Sequence, residues 1–433
     1  MILGIDIGTS TISIVLCDES GHVEKVWNLK NQSGMPSESH RYLQDPEWIV
    51  QHVQAYCDEI FAQYAVSRIG VTCQMHGILY VDDTGRAVSP LYTWEDECGL
   101  QIADSNSTYL DELNALAGTH LTRGIAFGAL THYYNTRTGN IPRGAACFCS
   151  IGDYLVMQLT GNPQPKTHVS IAASFGLFDL PTQDFSWDAI RRSGMEKRWF
   201  PNVVRGCLCA GYAKNGAAVS VAIGDNQASF LGSVTDWQHE ILLNLGTGGQ
   251  ISCYSREIIE EGGIETRPLL DGDYINVYTS HCGGRAYAAL ERFYREVLEM
   301  AGISCDSLYA VMEQGAARAE TTCEEKVKVI PAFCGSRSDP LARCEISNLT
   351  LTNFRPEALT LGFLEGICQE LYPFYARMRE HCQFQQITGS GNTIRRNAVM
   401  QRTIERVFQL PLKLTDTPEE AAMGAIRYAG WMK

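Results

Sequence analysis

Short apolar runs that end in glycine-bearing turns recur along this chain. Between them lie stretches whose apolar positions repeat at the helical period, a rhythm that predicts alternating strands and helices. Leu3 to Ser13 (LGIDIGTSTIS) is an apolar strand carrying Asp6 that opens into Gly8, Thr9, Ser10 and Thr11. The turn residues Asp18 to Val23 predict a hairpin back to a second strand. Pro46 to Tyr64 sets Trp48, Ile49, Val53, Tyr56, Ile60 and Phe61 on one stripe, with Pro46 suited to a first turn, and so predicts a helix packed on a sheet. A strand is expected over Ser67 to Val71 and helical pattern over Ser105 to Thr122 and Gly124 to Tyr134. Phe148 to Leu159 reads as a helix closed by Gly161, and Lys166 to Ser174 as mostly a connecting polar loop.

The pattern is densest between Ala218 and Ser252. Val219 to Ile223 and Ile241 to Leu245 each read as a buried strand opening into a polar loop, Gly224-Asp225-Asn226 and Gly246-Thr247-Gly248-Gly249. The first loop carries a lone carboxylate. The second presents small residues whose amides could line an anion, since glycine lets a main chain approach a phosphate closely. Either loop alone is as readily a structural turn. The like loop at Gly8 to Thr11 shifts the balance, and a base near an anion cradle suggests phosphoryl transfer.

Further on, Gly262 to Pro268 and Asp271 to Tyr278 look like hairpin strands, and Gly283-Gly284-Arg285 opens a helix. Val327 to Phe333 is a strand leading to an exposed turn at Gly335 to Pro340, and Pro356 to Tyr375 is helical. Phe384 to Thr388 enters Gly389-Ser390-Gly391-Asn392 ahead of a helix with Val399, Met400, Ile404, Val407 and Phe408 on one face. Strand, glycine loop and helix is one way to seat a nucleoside. The small residues of Ala421 to Ala425 allow the last helix to pack closely on a neighbour.

With 433 residues and 45% hydrophobic content, the chain is longer than one core usually stays intact, so two domains are expected. The formal charge of −14 argues against nucleic acid or an anionic membrane as a main partner. A polyanionic ligand would then be held locally, by amides, hydroxyls and a metal ion. The 16 cysteines sit largely in apolar runs and read as free buried thiols; Cys147/Cys149 and Cys207/Cys209 lack the spacing of a zinc site. Asp6 interrupts the first apolar run and none reaches the length of a membrane span, so a reduced, cytoplasmic protein is expected.

A polar cluster, Gln74, Met75 and His76 after one strand with Trp94 and Asp96 shortly downstream, has the makings of a sugar site. Carboxylates and amides accept hydroxyl protons, and an indole covers a C–H face. His76 alone would be as easily structural; the cluster counts for more than its members.

In order, the chain carries DIGTS, QMHG, a Trp-x-Asp, GDNQ, NLGTGG, GSGN and EEAAMGA. Together these resemble the FGGY family of carbohydrate kinases, within the actin and hexokinase superfamily, over essentially the whole chain. The resemblance implies an α/β fold of two ribonuclease H-like domains, here 1–217 and 218–433, with mixed β-sheets flanked by helices and the active site in the interdomain cleft. It implies ATP and Mg²⁺ as cofactors and a small-molecule sugar as the partner, and leaves a homodimer open. Asp225 matches the family's catalytic base, which also contacts the sugar, and Asp6 the carboxylate that helps hold Mg²⁺. Gly8, Thr9 and Ser10 match the first phosphate loop and Gly246, Thr247 and Gly248 the second. Gly389, Gly391, Asn392 and Asn397 lie where the family touches adenosine, and Gln74, Met75, His76, Trp94 and Asp96 where it holds the sugar.

Two departures stand out. Many members carry a basic residue four positions after the threonine of the first loop, where this chain has Ser13, and the common Trp-Asn-Asp reads Trp94-Glu95-Asp96. Cys282 to Tyr287 looks closest to the sedoheptulokinase-like branch. Phosphorylation of a ketose such as sedoheptulose, or of a related polyol, is the expected activity. The alternatives are a catalytically weak sugar or nucleotide sensor of the same fold and, less favoured by the polar cluster, an actin-like or chaperone ATPase.

Overall fold

A computed structural model of the chain describes residues 1–104, 106–259, 262–335, 339 and 341–432. The turn expected over Gly335 to Pro340 lies largely outside these, as does Ser105 of one expected helix. Two compact units are present: Met1–Gly232 with Arg267–Asp273 and Glu419–Lys433, and Ser233–Thr266 with Tyr274–Pro418. The division expected after residue 217 is thus displaced. Ala218–Ser220 runs parallel to Arg68–Cys73, so this strand and the following residues as far as Gly232, Asp225 among them, belong to the first unit.

In the first unit, one sheet has the order Cys209–Tyr212, Ala218–Ser220, Arg68–Cys73, Ile2–Ile7, Thr11–Cys17, Val23–Lys30, with Ile223–Gly224 also paired to Arg68–Cys73. Ile2–Ile7 is parallel to Arg68–Cys73 and antiparallel to Thr11–Cys17, so the sheet is mixed. Its central strands are almost continuously apolar because both faces are covered. The helix Glu420–Gly430 lies on Ile2–Ile7 and Arg68–Cys73. Gly4 and Gly70 are register partners there, and a Cβ on them would stand 2.2 Å from the Ala422 carbonyl oxygen and 2.0 Å from that of Ala425. Only hydrogen fits, which is why the helix can settle into this trough.

Lys166 to Ser174 is not a simple connection: Lys166–His168 is a strand and Val169–Ser174 a short helix, with His168 and Ser170 buried. Nor does a loop follow Gly224, because the helix Asp225–Ser233 begins at once.

The second unit holds the strands Tyr274–Ser280, Gly249–Ser255, Glu240–Leu245, Gln386–Ser390 and Leu412–Leu414 in that order of one sheet, whose edge strand Glu265–Pro268 begins in this unit and has its last two residues counted with the first. Its core joins Ile241, Leu243 and Ile387 of the sheet to Leu364, Met400 and Phe408 of the helices Pro356–Met378 and Ala398–Phe408. Among the described residues no helix is long and apolar enough to cross a membrane. All 16 cysteines are free thiols.

Candidate active site

Three parallel strands of the first unit end at the same level. Ile7 is the register partner of Cys73, and Cys73 of Gly224. Their carboxyl ends therefore deliver Gly8 to Ser10, Gln74 to His76 and Asp225 to one sheet edge, where open α/β sheets place ligands. Thr9 is the hub of this edge. Its hydroxyl donates to Gln74 Oε1 (3.1 Å) and accepts from Trp94 Nε1 (3.0 Å). Gln44 Nε2 donates to the Thr9 carbonyl (2.9 Å), and Gln74 Nε2 donates to Gln44 Oε1 (2.8 Å). Gln44, absent from the sequence-level site, ties the loop to Gln74, and its contribution depends on a register 30 residues away that no local pattern shows.

His76 sits in the left-handed region (φ 71°), where a non-glycine side chain is strained and is usually held for a purpose. Ser174 supplies the hold. Its hydroxyl accepts from the His76 backbone N–H (3.0 Å), and its carbonyl lies 2.8 Å from His76 Nδ1. A carbonyl only accepts, so Nδ1 carries the proton and Nε2 keeps its lone pair for a donor. Burial and, after it, the nearby Arg267 push this imidazole down to about 4, so it is neutral at pH 7.

Two carboxylates share the edge. Burial pushes Asp6 up to about 8, and Asp225 adds to the rise by repulsion. Asp225 is pushed up to about 6 by burial, opposed by the Asn226 N–H and by Arg267. Oδ1 of Asp6 is buried with no hydrogen-bond partner. An orphaned carboxylate oxygen beside a second carboxylate fits a divalent cation that takes its remaining ligands from phosphate and water. Among the described residues no cluster of three or more His, Cys, Asp or Glu could hold a metal alone.

Asp96 is engaged by other parts of the protein. Its side chain is fully buried and already takes Arg41 Nε (2.8 Å), Tyr42 N (3.2 Å) and Cys98 N (3.0 Å). Arg41 in turn lies over the rings of Tyr92 and Tyr134. Trp94 and Asp96 border a common cavity with Tyr42, Glu95 and Leu130. Met75 is buried, and a Cβ on Gly224 would stand 2.7 Å from its sulfur.

In the second unit, the parallel strands Glu240–Leu245 and Gln386–Ser390 also end level, bringing Gly246, Thr247 and Gly248 to the same edge as Gly391 and Asn392. The helix Gly283–Met300 starts against this loop: Gly284 N donates to the Gly246 carbonyl (2.9 Å) and Arg285 N to that of Thr247 (3.0 Å). Thr247 and Asn392 are exposed. Gly389 is instead inside the sheet, against Leu412 and Ile394. Asn397 is a buried N-cap: its Oδ1 accepts from Met400 N (2.9 Å) and its Nδ2 donates to Tyr287 Oη (3.3 Å).

A two-unit α/β protein of mixed sheets, with glycine loops at the sheet edges, is the class these features define. Residues 1–239 match the N-terminal domain of the FGGY family of carbohydrate kinases and residues 267–432 its C-terminal domain. The chain belongs to that family. It is 25% identical to the sedoheptulokinase of Mus musculus over 95% of this chain and 93% of that protein. It is also 25% identical to the xylulose kinase of Staphylococcus xylosus, over 57% of this chain and 54% of that one. Among solved structures, gluconate kinase from Lactobacillus acidophilus superposes with a TM-score of 0.83 at 17% identity, covering 99% of this chain and 88% of that chain. Xylulose kinase from Rhodospirillum rubrum gives 0.82 at 20% identity, with 99% and 88% covered. At these identities the structures report the fold.

Proposed function

We propose that this carbohydrate kinase transfers the γ-phosphoryl group of ATP to a hydroxyl of a ketose such as sedoheptulose, or of a related polyol, with Asp225 as general base. The observation that carries the reading is the convergence of Asp225, Asp6 and a neutral His76 at one sheet edge. A carboxylate held near 6 is ionised at pH 7 yet basic enough to take a hydroxyl proton. Its place at the start of the helix Asp225–Ser233 favours its negative charge. His76 Nε2 accepts a second hydroxyl of the acceptor, Trp94 offers an apolar face, and the Thr9 network holds the loop. In the second unit, the loop Gly246 to Gly248 lines phosphate oxygens, and Gly391 and Asn392 border the nucleoside.

Phosphoryl transfer has a loose transition state with charge spread over the phosphate oxygens, so the protein's work is mainly placement and charge balance. Mg²⁺, held near Asp6, supplies positive charge against those oxygens when bound.

The test is a coupled ADP-release screen over ketoses and polyols of four to seven carbons, with wild type and Asp225→Ala side by side. Asp225→Ala is expected to fold, bind nucleotide and lose about 10² to 10⁴ in kcat on the best acceptor. A near-normal kcat removes Asp225 from the role. Binding of sugar and ATP with no ADP formed on any acceptor favours the sensor, a reading motivated by the absence of a basic residue at position 13.

A further inference from the structure

The strands beside Asp6 place no cation in register with it. Asp6, Ser13 and Asn28 form a row across three strands, each the register partner of the next. Ser13 Oγ donates to Asn28 Oδ1 (2.7 Å), and Asn28 Nδ2 donates to Glu419 Oε1 (3.0 Å), so this row carries no cation and ends in another carboxylate.

A cation arrives from elsewhere in the chain. The segment Arg267–Asp273 is part of the first unit, although the residues on either side of it are not. A bond from the Leu269 N–H to the Asp273 carbonyl (2.9 Å) closes the segment on itself, Leu269 is buried, and Gln227 Nε2 anchors the segment by donating to the Pro268 carbonyl (2.9 Å). Gln227 is in the first turn of the helix that begins at Asp225. One hydrogen bond thus fixes the backbone beside Arg267 to the turn that carries Asp225. The guanidinium lies within the field of both Asp225 and His76, the two side chains assigned to the acceptor. Burial lowers Arg267 to about 10, Asp225 opposes that fall, and the side chain stays charged at pH 7.

We propose that Arg267 is a positioning residue for Asp225, the cation that holds the carboxylate in its orientation toward the acceptor hydroxyl. The proposal rests on the assignment of Asp225 as base. It accounts for an ionised Asp225 beside Asp6: the guanidinium offsets the Asp225 charge, while burial and that same charge hold Asp6 protonated unless a cation binds there. It also gives the Gln227 clamp a purpose, since a long side chain positions a neighbour well only when its own backbone is held.

The experiment compares wild type, Arg267→Met, Arg267→Lys, Asp225→Asn and the Asp225→Asn/Arg267→Met double variant as full chains. It reads kcat, KM for the best acceptor, melting temperature and ADP binding, together with crystal structures of wild type and Arg267→Met. Arg267→Met is expected to lower kcat about 10- to 100-fold, a share of what loss of the base would cost, with acceptor KM within about threefold. Arg267→Lys should recover part of the loss, and ADP affinity should stay unchanged. On the Asp225→Asn background, Arg267→Met should cost less than about threefold more, because the group it serves is already disabled.

Equal fold-losses on both backgrounds, or a loss confined to KM, overturn the proposal. So does an Asp225 side chain that keeps its wild-type conformation in Arg267→Met, whatever the turnover. A near-normal Asp225→Asn sinks the base assignment, and the proposal with it. A dead Asp225→Asn beside a near-normal Arg267→Met sinks this proposal alone.

Discussion

At the scale of single residues, buried imidazoles bring pH into the account. His132 is enclosed by the rings of Tyr80, Phe148, Trp199 and Phe200, and its Nδ1 lies 2.9 Å from Tyr80 Oη. Burial, and then the charge of Arg198, push it down to about 3 from an ordinary 6.5. The unfolded chain therefore takes up the proton first. The stabilisation from keeping this ring neutral is complete above about pH 6.5 and is lost as pH falls toward 3. Urea melts of wild type and His132→Phe from pH 7.5 to 4.5 should diverge below about pH 6, wild type losing roughly 1.4 kcal/mol per pH unit relative to the variant. Parallel curves would show that the ring is not held neutral.

The same scale shows what could be seen in the sequence and what could not. The placing of Asp225, His76 and Thr9 at the ends of strands was legible because each lies just after an apolar run. Gln44, Ser174 and Arg267 were not, because each acts on a partner 30 or more residues away. For Asp96 and Asn397 the residue type is right for a ligand, but Arg41 and Met400 N already hold them. Local pattern has no means of showing such contacts.

Among the elements, strands and long helices were readable from period alone, while short buried pieces were not. Pro46–Gln63 and Gly283–Met300 follow their stripes. Lys166 to Ser174 looked like a polar loop because its Thr, His and Ser side chains are satisfied inside the protein rather than by water: Thr167 Oγ1 donates to Asp153 (2.7 Å), and Ser170 Oγ accepts from Gly224 N (3.0 Å). The small residues of the last helix were legible as a packing surface, but their target was not. That target is a pair of glycines on adjacent strands, Gly4 and Gly70. Gly70→Ala puts a methyl group 2.0 Å from the Ala425 carbonyl carbon's oxygen, a backbone atom that can move only with its helix. An overpacking cost of about 3 kcal/mol or more is expected, read as a lower urea midpoint with unchanged slope. A midpoint within experimental error of wild type would mean that the helix shifts freely and the trough is loose.

Across the whole molecule, neither unit is a single continuous stretch of the chain. The first unit is built from Met1–Gly232, a seven-residue return at Arg267–Asp273 and the final Glu419–Lys433. Chain-order reasoning put the division near residue 217 because composition is silent about a strand that rejoins an earlier sheet or a helix that closes it 350 residues later. Ala422, Met423, Ile426 and Ala429 of that helix are buried with Ile2, Val15 and Cys17 of the sheet, and Tyr428 Oη donates to the Gly206 carbonyl (2.8 Å). Gly424 fits only because it lacks a side chain, since a Cβ would stand 1.8 Å from the Ala228 carbonyl oxygen in the helix that begins at Asp225. The last helix therefore supports both the sheet that delivers Thr9 and His76 and the helix that carries Asp225. A chain cut after Pro418 bares an apolar sheet face and frees the helix Asp225–Ser233 along one side. At roughly 25 cal/mol per Å² of apolar surface, losing several fully buried side chains exceeds the few kcal/mol by which a domain is usually stable. The truncated protein is expected to lose the unfolding transition of the first unit in calorimetry, with protease cleavage appearing within residues 1–232. The peptide 419–433 added in trans should restore part of the protection. A truncated chain that melts like the full one would show that the first unit does not depend on this helix for its stability.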